Sequence, residues 1–579
     1  ITFTPPELDF LLTPDGDRDE EIGVWNLFSS AAITGSLVKP NRTSLEAARR
    51  GLAQAKASAA DGDMLAAETL ERADAVVRQA EVLAATYHVA VANPPYMGSG
   101  NMEPVLANFA KREYPLAKID LYAMFIDRCF DLVDSAGAVA MVTQDSWMFL
   151  GDYSKYRAWL LKHGSVATLA HLGTSAFDTI SGEVVSTVAF VADTNKRGAA
   201  QSIFVRAVDV EGEAKATVLR GVAAGSEAQR AYVRSVSDFL DVPNTPVIYW
   251  ASDDEIAALR KGPYLGELLQ AREGLTTGNN DRFLRRWYEI SQRKVGFGIK
   301  SAADGVTSGA RWFPYQKGGS SRRWYGNFDF VVDWENDGER VQANIDEATG
   351  RVRSHNYNGT YGFKRGLTWS SISGDGFAVR HVEGSFMFDT KGPMAFPHRP
   401  DELPVLEGFL NSSTATQFMR LLAPRLDFKL GHVLSLPIRV RESAHVSGLV
   451  ARCVDLSKQE WDTCELSADF QGSPLVGLSE SLATAIEACQ GVEDERADAL
   501  ATAEAELDEF FAAAYLGPQS TKNVARRPVS ANEVDRRHLL VEDFISFAVG
   551  CMFGRYSHDL PGLILADQGA TLKDFFAIV

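Results

Sequence analysis

Residues 87–96 read YHVAVANPPY, and this stretch decides the fold class. Its first six residues form a short apolar run, which is typical of a buried strand. Downstream, helical spacing from Leu121 to Val133 is followed by a second apolar run, GAVAMVT, at residues 137–143. Such alternation predicts an α/β fold with a largely parallel sheet and helices on its faces. Because ligands bind at the carboxyl ends of strands in these sheets, we expect residues 93–96 to lie at a functional edge.

The Asn-Pro-Pro-Tyr loop suits transfer of a methyl group to an exocyclic base amine. The side-chain carbonyl of Asn93 and the backbone carbonyl of Pro94 can accept both amine protons and bias the nitrogen toward tetrahedral geometry. Pro95 stiffens the loop, and Tyr96 offers an aromatic face to a base rotated out of the stack. These four residues are therefore predicted to be catalytic and to act mainly by positioning. A simple turn is the alternative, and the motif alone also fits methylation of protein glutamine or RNA.

Composition and charge limit the function classes. The net charge of −18 argues against a nucleic-acid protein, but residues 271–440 hold 23 Lys and Arg against 18 Asp and Glu. No apolar stretch is long enough to cross a bilayer. The five cysteines form no CxxC pair and lie near no His at metal-ligand spacing, which predicts a cytoplasmic protein without a metal. The first residue is Ile1 rather than Met, so we expect a fragment of a longer protein.

Changes in the periodicity of apolar residues along the chain predict three domains. The alternating α/β pattern comes first and contains an inserted helical hairpin at about 43–86. Within the hairpin, Thr43-Ser44-Leu45-Glu46 has the spacing of a capping box, and Asp61-Gly62-Asp63 breaks the helical run. A region without long periodicity follows, which predicts an α+β domain, and helical periodicity then returns. The predicted domains are residues 1–240, 241–440 and 441–579.

Several longer stretches carry a family resemblance. They are NPPYMGS at 93–99, KIDLYAMF at 118–125, SWMFL at 146–150, HLG at 171–173, FDTISGEVVST at 177–187 and VGCMFGRYS at 549–557. Together they resemble the PglX family, the adenine-specific DNA methyltransferases of BREX-type phage-exclusion systems. The resemblance implies a Rossmann-like methyltransferase sheet, only partly present, that uses S-adenosylmethionine to methylate adenine N6 in duplex DNA. It also implies a role in phage defence and other components of that system as partners.

The resemblance extends to further site residues. Phe177 lies where related enzymes place a second aromatic ring against the flipped base, although a core Phe is the alternative. Asp120 and Tyr122 fall in a motif that lines the cofactor side, although helix capping and core packing would also explain them. The family's cofactor loop, a strand ending in a Gly-x-Gly turn, has no match in residues 1–92. We therefore expect that loop to lie upstream of Ile1.

A target-recognition region is indicated between GLTTGNNDRF at 274–283 and the segment ending LPI at 436–438, which resemble the borders of such domains in related modification enzymes. Basic residues interleaved with aromatic ones suit DNA, because cations engage phosphate and a few side chains read base edges. A solvated surface with ordinary cation–π pairs is the alternative. The residues predicted to contact DNA are Lys317, Arg322, Arg323, Trp324, Lys364, Arg365 and Trp369.

Three functions remain open after this reading. The first is a site-specific DNA adenine methyltransferase with its target-recognition domain. The second is a combined restriction-modification polypeptide, for which no nuclease motif is visible. The third is a non-catalytic DNA-recognition or scaffold chain of the same defence system, which the missing cofactor loop favours. A protein glutamine methyltransferase is disfavoured by the large region downstream of the motif.

Overall fold

The protein is a mixed α/β chain of two compact units, Ile1–Trp250 and Ala251–Val579. A computed structural model describes residues 1–14, 16–59, 63–177, 185–194, 201–356, 358–517, 533–566 and 569–579. Across these ranges no helix is long and apolar enough to cross a membrane. In the same ranges, no three His, Cys, Asp or Glu side chains are arranged to hold a metal. The mixed α/β class is as predicted, and the division into three domains stays a prediction.

The first unit opens with helices that share a core of their own, which includes Leu11, Trp25 and Val76. Asn41 caps the fourth helix and accepts a hydrogen bond from the Thr43 amide, so the predicted capping box at Thr43–Glu46 is wrong. Asp63 caps the fifth helix, whereas the other two residues of the predicted break lie outside the described ranges. These helices are α1 (Pro5–Leu11), α2 (Arg18–Trp25), α3 (Ala31–Thr34), α4 (Arg42–Ser58) and α5 (Met64–Ala84).

A six-stranded sheet follows, in the order β1-β2-β4-β3-β5-β6. Its strands are β1 (Tyr87–Ala92), β2 (Val133–Gln144), β3 (Ser165–Gly173), β4 (Thr187–Asp193), β5 (Gln201–Arg206) and β6 (Ala231–Ser235). The helices between them are α6 (Pro104–Glu113), α7 (Leu121–Leu132), α8 (Ser146–Phe149), α9 (Ser154–His163), α10 (Ala214–Ala223) and α11 (Ser237–Leu240).

The sheet is mixed, so the prediction of a largely parallel sheet needs correction. Only β1–β2 and β3–β5 are parallel pairs, while β2–β4, β3–β4 and β5–β6 are antiparallel. The described part of the β3–β4 connection holds no helix, and a parallel return would need a crossover. Strands β1, β2, β3 and β5 nevertheless run the same way. Their carboxyl ends and the amino end of β4 therefore share one border, here called the carboxyl edge.

Strand β1 lies at the end of this sheet and pairs with β2 alone among the described strands. Its apolar side chains are open to solvent: Val89 is 56% exposed and Val91 is 77% exposed. The prediction of a buried strand is therefore wrong for this chain. The apolar pattern is that of an interior strand, but the described chain supplies a neighbour on one side only.

The second unit combines small sheets with helices. The sheets have the orders β15-β10-β11-β9, β14-β13-β16-β7 and β12-β8. Helices α16, α19 and α20 pack against one another beside β14, so the helical C-terminal region and the sheets belong to one unit. The elements are α12 (Asp253–Arg260), β7 (Leu269–Arg272), β8 (Leu275–Thr276), α13 (Asn280–Phe283), β9 (Leu284–Arg286), α14 (Ala302–Ser308), β10 (Trp312–Gln316), β11 (Phe330–Asp333), α15 (Glu335–Gln342), β12 (His355–Asn356), β13 (Gly366–Trp369), β14 (Val379–Val382), β15 (Met387–Phe388), β16 (Met394–Pro397), α16 (Leu403–Asn411), α17 (Ser413–Leu422), α18 (Leu430–Leu434), α19 (Ala444–Trp461), α20 (Leu482–Leu516), α21 (Glu533–Met552) and α22 (Leu572–Phe576).

Candidate functional site

The loop of Asn93, Pro94, Pro95 and Tyr96 starts where β1 ends, at the carboxyl edge. Ala92 is aligned with Met141 of β2, so β2 runs three residues further past the loop before it ends at Gln144. Asn93 and Pro95 are exposed, whereas Pro94 is buried and Tyr96 is half-buried. Asn93 and Pro94, whose carbonyl groups are the predicted acceptors, thus belong to a loop that is exposed at Asn93 and packed against the protein at Pro94 and Tyr96.

Asp120 holds this loop in place from the start of α7. Its Oδ1 accepts hydrogen bonds from the Met97 amide at 3.0 Å and from the Tyr122 amide at 3.3 Å. The Leu121 amide also donates to the Met97 carbonyl at 3.0 Å, which ties the two segments together through the backbone. Burial raises the pKa of the Asp120 carboxyl, although the amides that donate to it act in the opposite direction. Asp120 is therefore a helix cap that also clamps the loop.

Two further aromatic rings pack beside Tyr96, the last residue of the loop. The Tyr96 and Tyr122 rings meet edge to face, with centroids 6.0 Å apart, and Tyr122 in turn stacks on Tyr153 at 6.1 Å. Burial, reinforced by the Asp120 carboxylate, raises the pKa of the Tyr96 phenol, and its hydroxyl has no hydrogen-bond partner among the described residues.

Tyr122 is fully buried, which agrees with core packing, the alternative that the sequence analysis gave for this residue. Asp120 likewise forms the helix cap of that alternative. Their predicted place beside a cofactor stays a prediction.

A buried polar cluster lies further along the carboxyl edge, and the motif analysis missed it. Asp145 directly follows β2, and its Oδ2 lies 3.0 Å from Nε2 of His171, near the end of β3. Nδ1 of His171 lies 3.0 Å from the Tyr249 hydroxyl, and Ser186, just before β4, donates to Asp145. A usable signal was present, because Asp145 follows its strand directly, as Asn93 follows β1.

Phe177 lies beyond the end of β3 and is partly exposed. It follows Gly173, the last residue of β3, at the same border as the Asn93–Tyr96 loop. The seven residues after Phe177 lie outside the described ranges. Its assignment to base stacking stays a prediction.

The predicted DNA contacts of two tryptophans are contradicted by their burial in the second unit. Trp369 is fully buried and donates from its indole to the Phe428 carbonyl at 2.9 Å. Trp324 is 2% exposed, and its indole donates to Glu504 at 2.8 Å. Both rings are core residues, because Trp369 at the end of β13 and Trp324 in the connection between β10 and β11 contact segments that are distant in sequence.

Arg322 and Arg323 face acidic helices rather than open solvent. Arg323 pairs with Glu504 of α20 at 2.8 Å. Arg322 pairs with Glu460 of α19, and its guanidinium lies 5.0 Å from the centre of the Trp461 ring. These pairs neutralise both cations inside the unit. Their side chains are therefore bound internally, and the prediction that they contact DNA is not supported.

The remaining predicted cations lie closer to the surface. Lys364 and Arg365 are exposed, and Lys317 is half-buried beside Phe330. Burial lowers the pKa of the Lys317 ammonium. Lys364 lies 4.6 Å from the centre of the Tyr361 ring, and Arg272, which the sequence analysis did not single out, lies 4.9 Å from the same centre. Two cations on one ring form a basic surface cluster.

Comparisons with known proteins identify relatives of this chain. A family model described as Eco57I restriction-modification methylase matches residues 40–177. Over 503 residues, the chain is 38% identical to the adenine-specific methyltransferase PglX of Lacticaseibacillus casei (strain Zhang), covering 85% of this chain and 41% of that protein. Over 564 residues, it is 32% identical to the adenine-specific methyltransferase BrxX of Escherichia coli O9:H4 (strain HS), covering 94% and 45%.

The chain spans less than half the length of either of these two curated relatives. Among solved structures, it resembles the Type IIL restriction-modification enzyme MmeI in complex with DNA. That likeness covers 82% of this chain and 58% of the other, with a TM-score of 0.46 and 12% sequence identity.

Proposed function

Because this chain belongs to the family of the adenine-specific methyltransferases PglX and BrxX, we propose that it carries the target-base side of a DNA adenine N6-methyltransferase. The observation that supports this most is the Asn93–Tyr96 loop. It begins at the carboxyl end of β1, is clamped by Asp120 and is backed by Tyr122. A loop held in this way can present fixed acceptors to a base, which positional catalysis requires.

Methyl transfer to adenine N6 requires mainly that the protein position the amine. Asn93 Oδ1 and the Pro94 carbonyl accept the two N6 protons of a flipped adenine, so that the nitrogen lone pair turns out of the ring plane. Tyr96 presents its face to the base, because base–aromatic stacking stabilises an extrahelical nucleotide. No strong base is needed, since the amine proton becomes acidic as the new bond forms. Phe177, at the same edge, is proposed to stack on the other face of the base.

The methyl donor of methyltransferases in general, S-adenosylmethionine, supplies the methyl group when bound. Residues 1–84 fold into helices with their own core, and no strand with a Gly-x-Gly turn precedes β1 among the described residues. The residues before β1 therefore do not fit the donor. We propose that the donor-binding part of the longer relatives extends the sheet along the free edge of β1, where Val89 and Val91 would become buried.

Binding of duplex DNA is proposed for the second unit. The cluster of Lys364 and Arg272 around Tyr361, with Arg365 beside it, has the composition of a phosphate-binding surface. Neither Lys364 nor Arg272 has an acidic partner among the contacts of the described residues, so both charges are free to meet an anion. Phosphate contacts of this kind position the duplex, while other side chains read its bases.

The test is adenine methylation by the full-length protein in cells that carry the whole system. Asn93→Ala removes one acceptor and should lower methylation by about 100-fold or more, because the amine is no longer oriented. Asn108→Ala, an exposed position on α6, is the matched control and should leave methylation unchanged. Sequencing of methylated bases gives both the rate and the target. Methylation at the normal rate in Asn93→Ala would refute the catalytic assignment.

A non-catalytic scaffold is the second candidate, and the lack of a donor loop among the described residues favours it. Calorimetry with S-adenosylmethionine separates the two, using the full-length protein and this chain in parallel. Binding by the full-length protein supports the enzyme. If neither binds, the scaffold role is supported instead. We further propose a role in BREX-type defence against phage, which is tested by plating phage on a strain that carries Asn93→Ala.

A further inference from the structure

Three buried side chains form a connected cluster at the carboxyl edge: Asp145, His171 and Tyr249. Asp145 and His171 are 4% and 6% exposed, and Tyr249 is fully buried. His171 donates from Nε2 to the Asp145 carboxylate, because an ionised carboxylate can only accept. Its Nδ1 then meets the Tyr249 hydroxyl. A buried polar cluster whose members satisfy one another has one preferred geometry, so it makes its surroundings rigid.

The cluster links several parts of the sheet that are distant in sequence. Asp145 directly follows β2, His171 belongs to β3, and Tyr249 lies near the end of the unit. The Asp145 amide also donates to the Ser186 carbonyl at 3.1 Å, and the Ser186 hydroxyl donates to the Asp145 side chain. Ser186 and His171 therefore lie close to the two ends of the β3–β4 connection, which begins after Gly173.

The cluster lies at the same edge as the Asn93–Tyr96 loop because β1 and β2 are paired: Ala92 is aligned with Met141, and Asp145 comes directly after the end of β2. Burial is the main cause that raises the pKa of the Tyr122 phenol, Tyr153 raises it further, and the carboxylates of Asp120 and Asp145 add smaller contributions. Asp145 therefore lies within electrostatic reach of Tyr122, the ring that supports Tyr96. On its other side, the His171 ring packs against Phe149, at 5.9 Å between centroids.

We propose that Asp145, His171 and Tyr249 are positioning residues for methyl transfer, which fix the carboxyl edge in the shape that orients Tyr96 and the loop around it. They are not catalytic residues, because their side chains are buried and their polar atoms contact other residues of the protein. This inference rests on the proposed function. It assigns a role to side chains that a core-packing account would treat as ordinary buried polar groups.

The test compares substitutions that remove one polar interaction and keep the shape. Tyr249→Phe deletes the hydroxyl and leaves the ring, which stacks on Phe204 at 4.9 Å. Asp145→Asn removes the charge at constant size. Tyr114→Phe is the matched control, because it deletes the hydroxyl of another buried tyrosine, which donates to the Leu37 carbonyl in the same unit. Each variant is made in the full-length protein.

Steady-state methylation of a duplex that contains the sequenced target gives kcat and KM for DNA. Tyr249→Phe and Asp145→Asn should lower kcat about 10- to 100-fold while KM for DNA stays nearly constant, as expected for a loss of orientation. Tyr114→Phe should keep both values. When 2-aminopurine replaces the target adenine, its fluorescence in complexes with the two cluster variants should differ from that with the wild type, because the flipped base is held less firmly.

Three results would overturn the inference: kcat unchanged in Tyr249→Phe, a loss confined to KM, or an equal loss in Tyr114→Phe. If Asp145→Asn fails to fold, Tyr249→Phe alone decides. Failure of this inference is distinct from failure of the proposed function. Methylation that persists in Asn93→Ala refutes the function, whereas methylation lost in Asn93→Ala but kept in the cluster variants refutes only the positioning role.

Discussion

Replacing Asp120 with Ala should loosen the Asn93–Tyr96 loop without changing the loop's sequence. The Asp120 carboxylate caps α7 and accepts the Met97 amide at 3.0 Å. Loss of a helix cap costs about 1 kcal/mol, and loss of the second hydrogen bond costs about 1 kcal/mol more. The sum of about 2 kcal/mol corresponds to roughly a 30-fold change in a local opening equilibrium, since 1.4 kcal/mol is a factor of ten.

Hydrogen exchange measured by mass spectrometry reports this opening directly. The informative amides are those of Leu121, which donates to the Met97 carbonyl, and Ser99, which donates to the Ile119 carbonyl. In Asp120→Ala, both should exchange roughly 30-fold faster. Asp120→Asn should stay near the wild type, because the Asn side-chain carbonyl is an equally good cap acceptor.

Asp63→Ala is the matched control. Asp63 caps α5 by accepting the Leu65 and Ala66 amides at 3.0 Å each, far along the chain from the loop. Its loss should speed exchange in the first turn of α5 and leave the Leu121 amide unchanged. The reasoning is refuted if the peptides covering Ser99 and Leu121 exchange within about three-fold of the wild-type rate in Asp120→Ala.

Two other predictions concern the second unit. Lys364→Ala should lower the slope of log affinity for DNA against log salt concentration by about 1, whereas Arg323→Ala should not, because Glu504 already neutralises it. An equal drop in Arg323→Ala would contradict this. Burial alone lowers the pKa of His381, but Glu407, with a smaller contribution from Glu383, outweighs burial and raises that pKa above its ordinary value. The stability that the raised pKa of His381 contributes is therefore complete below the ordinary histidine pKa and lost as pH rises through the raised value. Calorimetric melting against pH should show this loss, and Glu407→Gln should remove it.

Local features of the fold were predictable because neighbouring residues cause them. The strand at Tyr87–Ala92, the helix after Asp120 and the strand before Asp145 all follow from apolar periodicity. Strand neighbours were not predictable, because pairing joins segments that are far apart in sequence. The antiparallel β4 therefore lies between β2 and β3, and β1 has no second neighbour among the strands that the structure describes, although the apolar pattern alone favours a buried, parallel strand.

The same limit applies to the charged residues of the second unit. A run of Arg and Trp is compatible with a DNA surface, and composition cannot tell which members face outward. Glu504 lies 181 residues after Arg323, so only folding brings the two together. The acidic helix removes Arg323 and Trp324 from the surface, while Lys364 and Arg365 remain on it.

The sequence by itself determined the chemistry of the Asn93–Tyr96 loop and its place directly after a strand, because residue type and short-range periodicity are local properties. The tertiary structure decided what holds that loop and what faces solvent. Asp120 clamps it from α7, and the cluster of Asp145, His171 and Tyr249 lies behind it. These contacts join residues that are tens of positions apart, and their geometry exists only once the strands have paired.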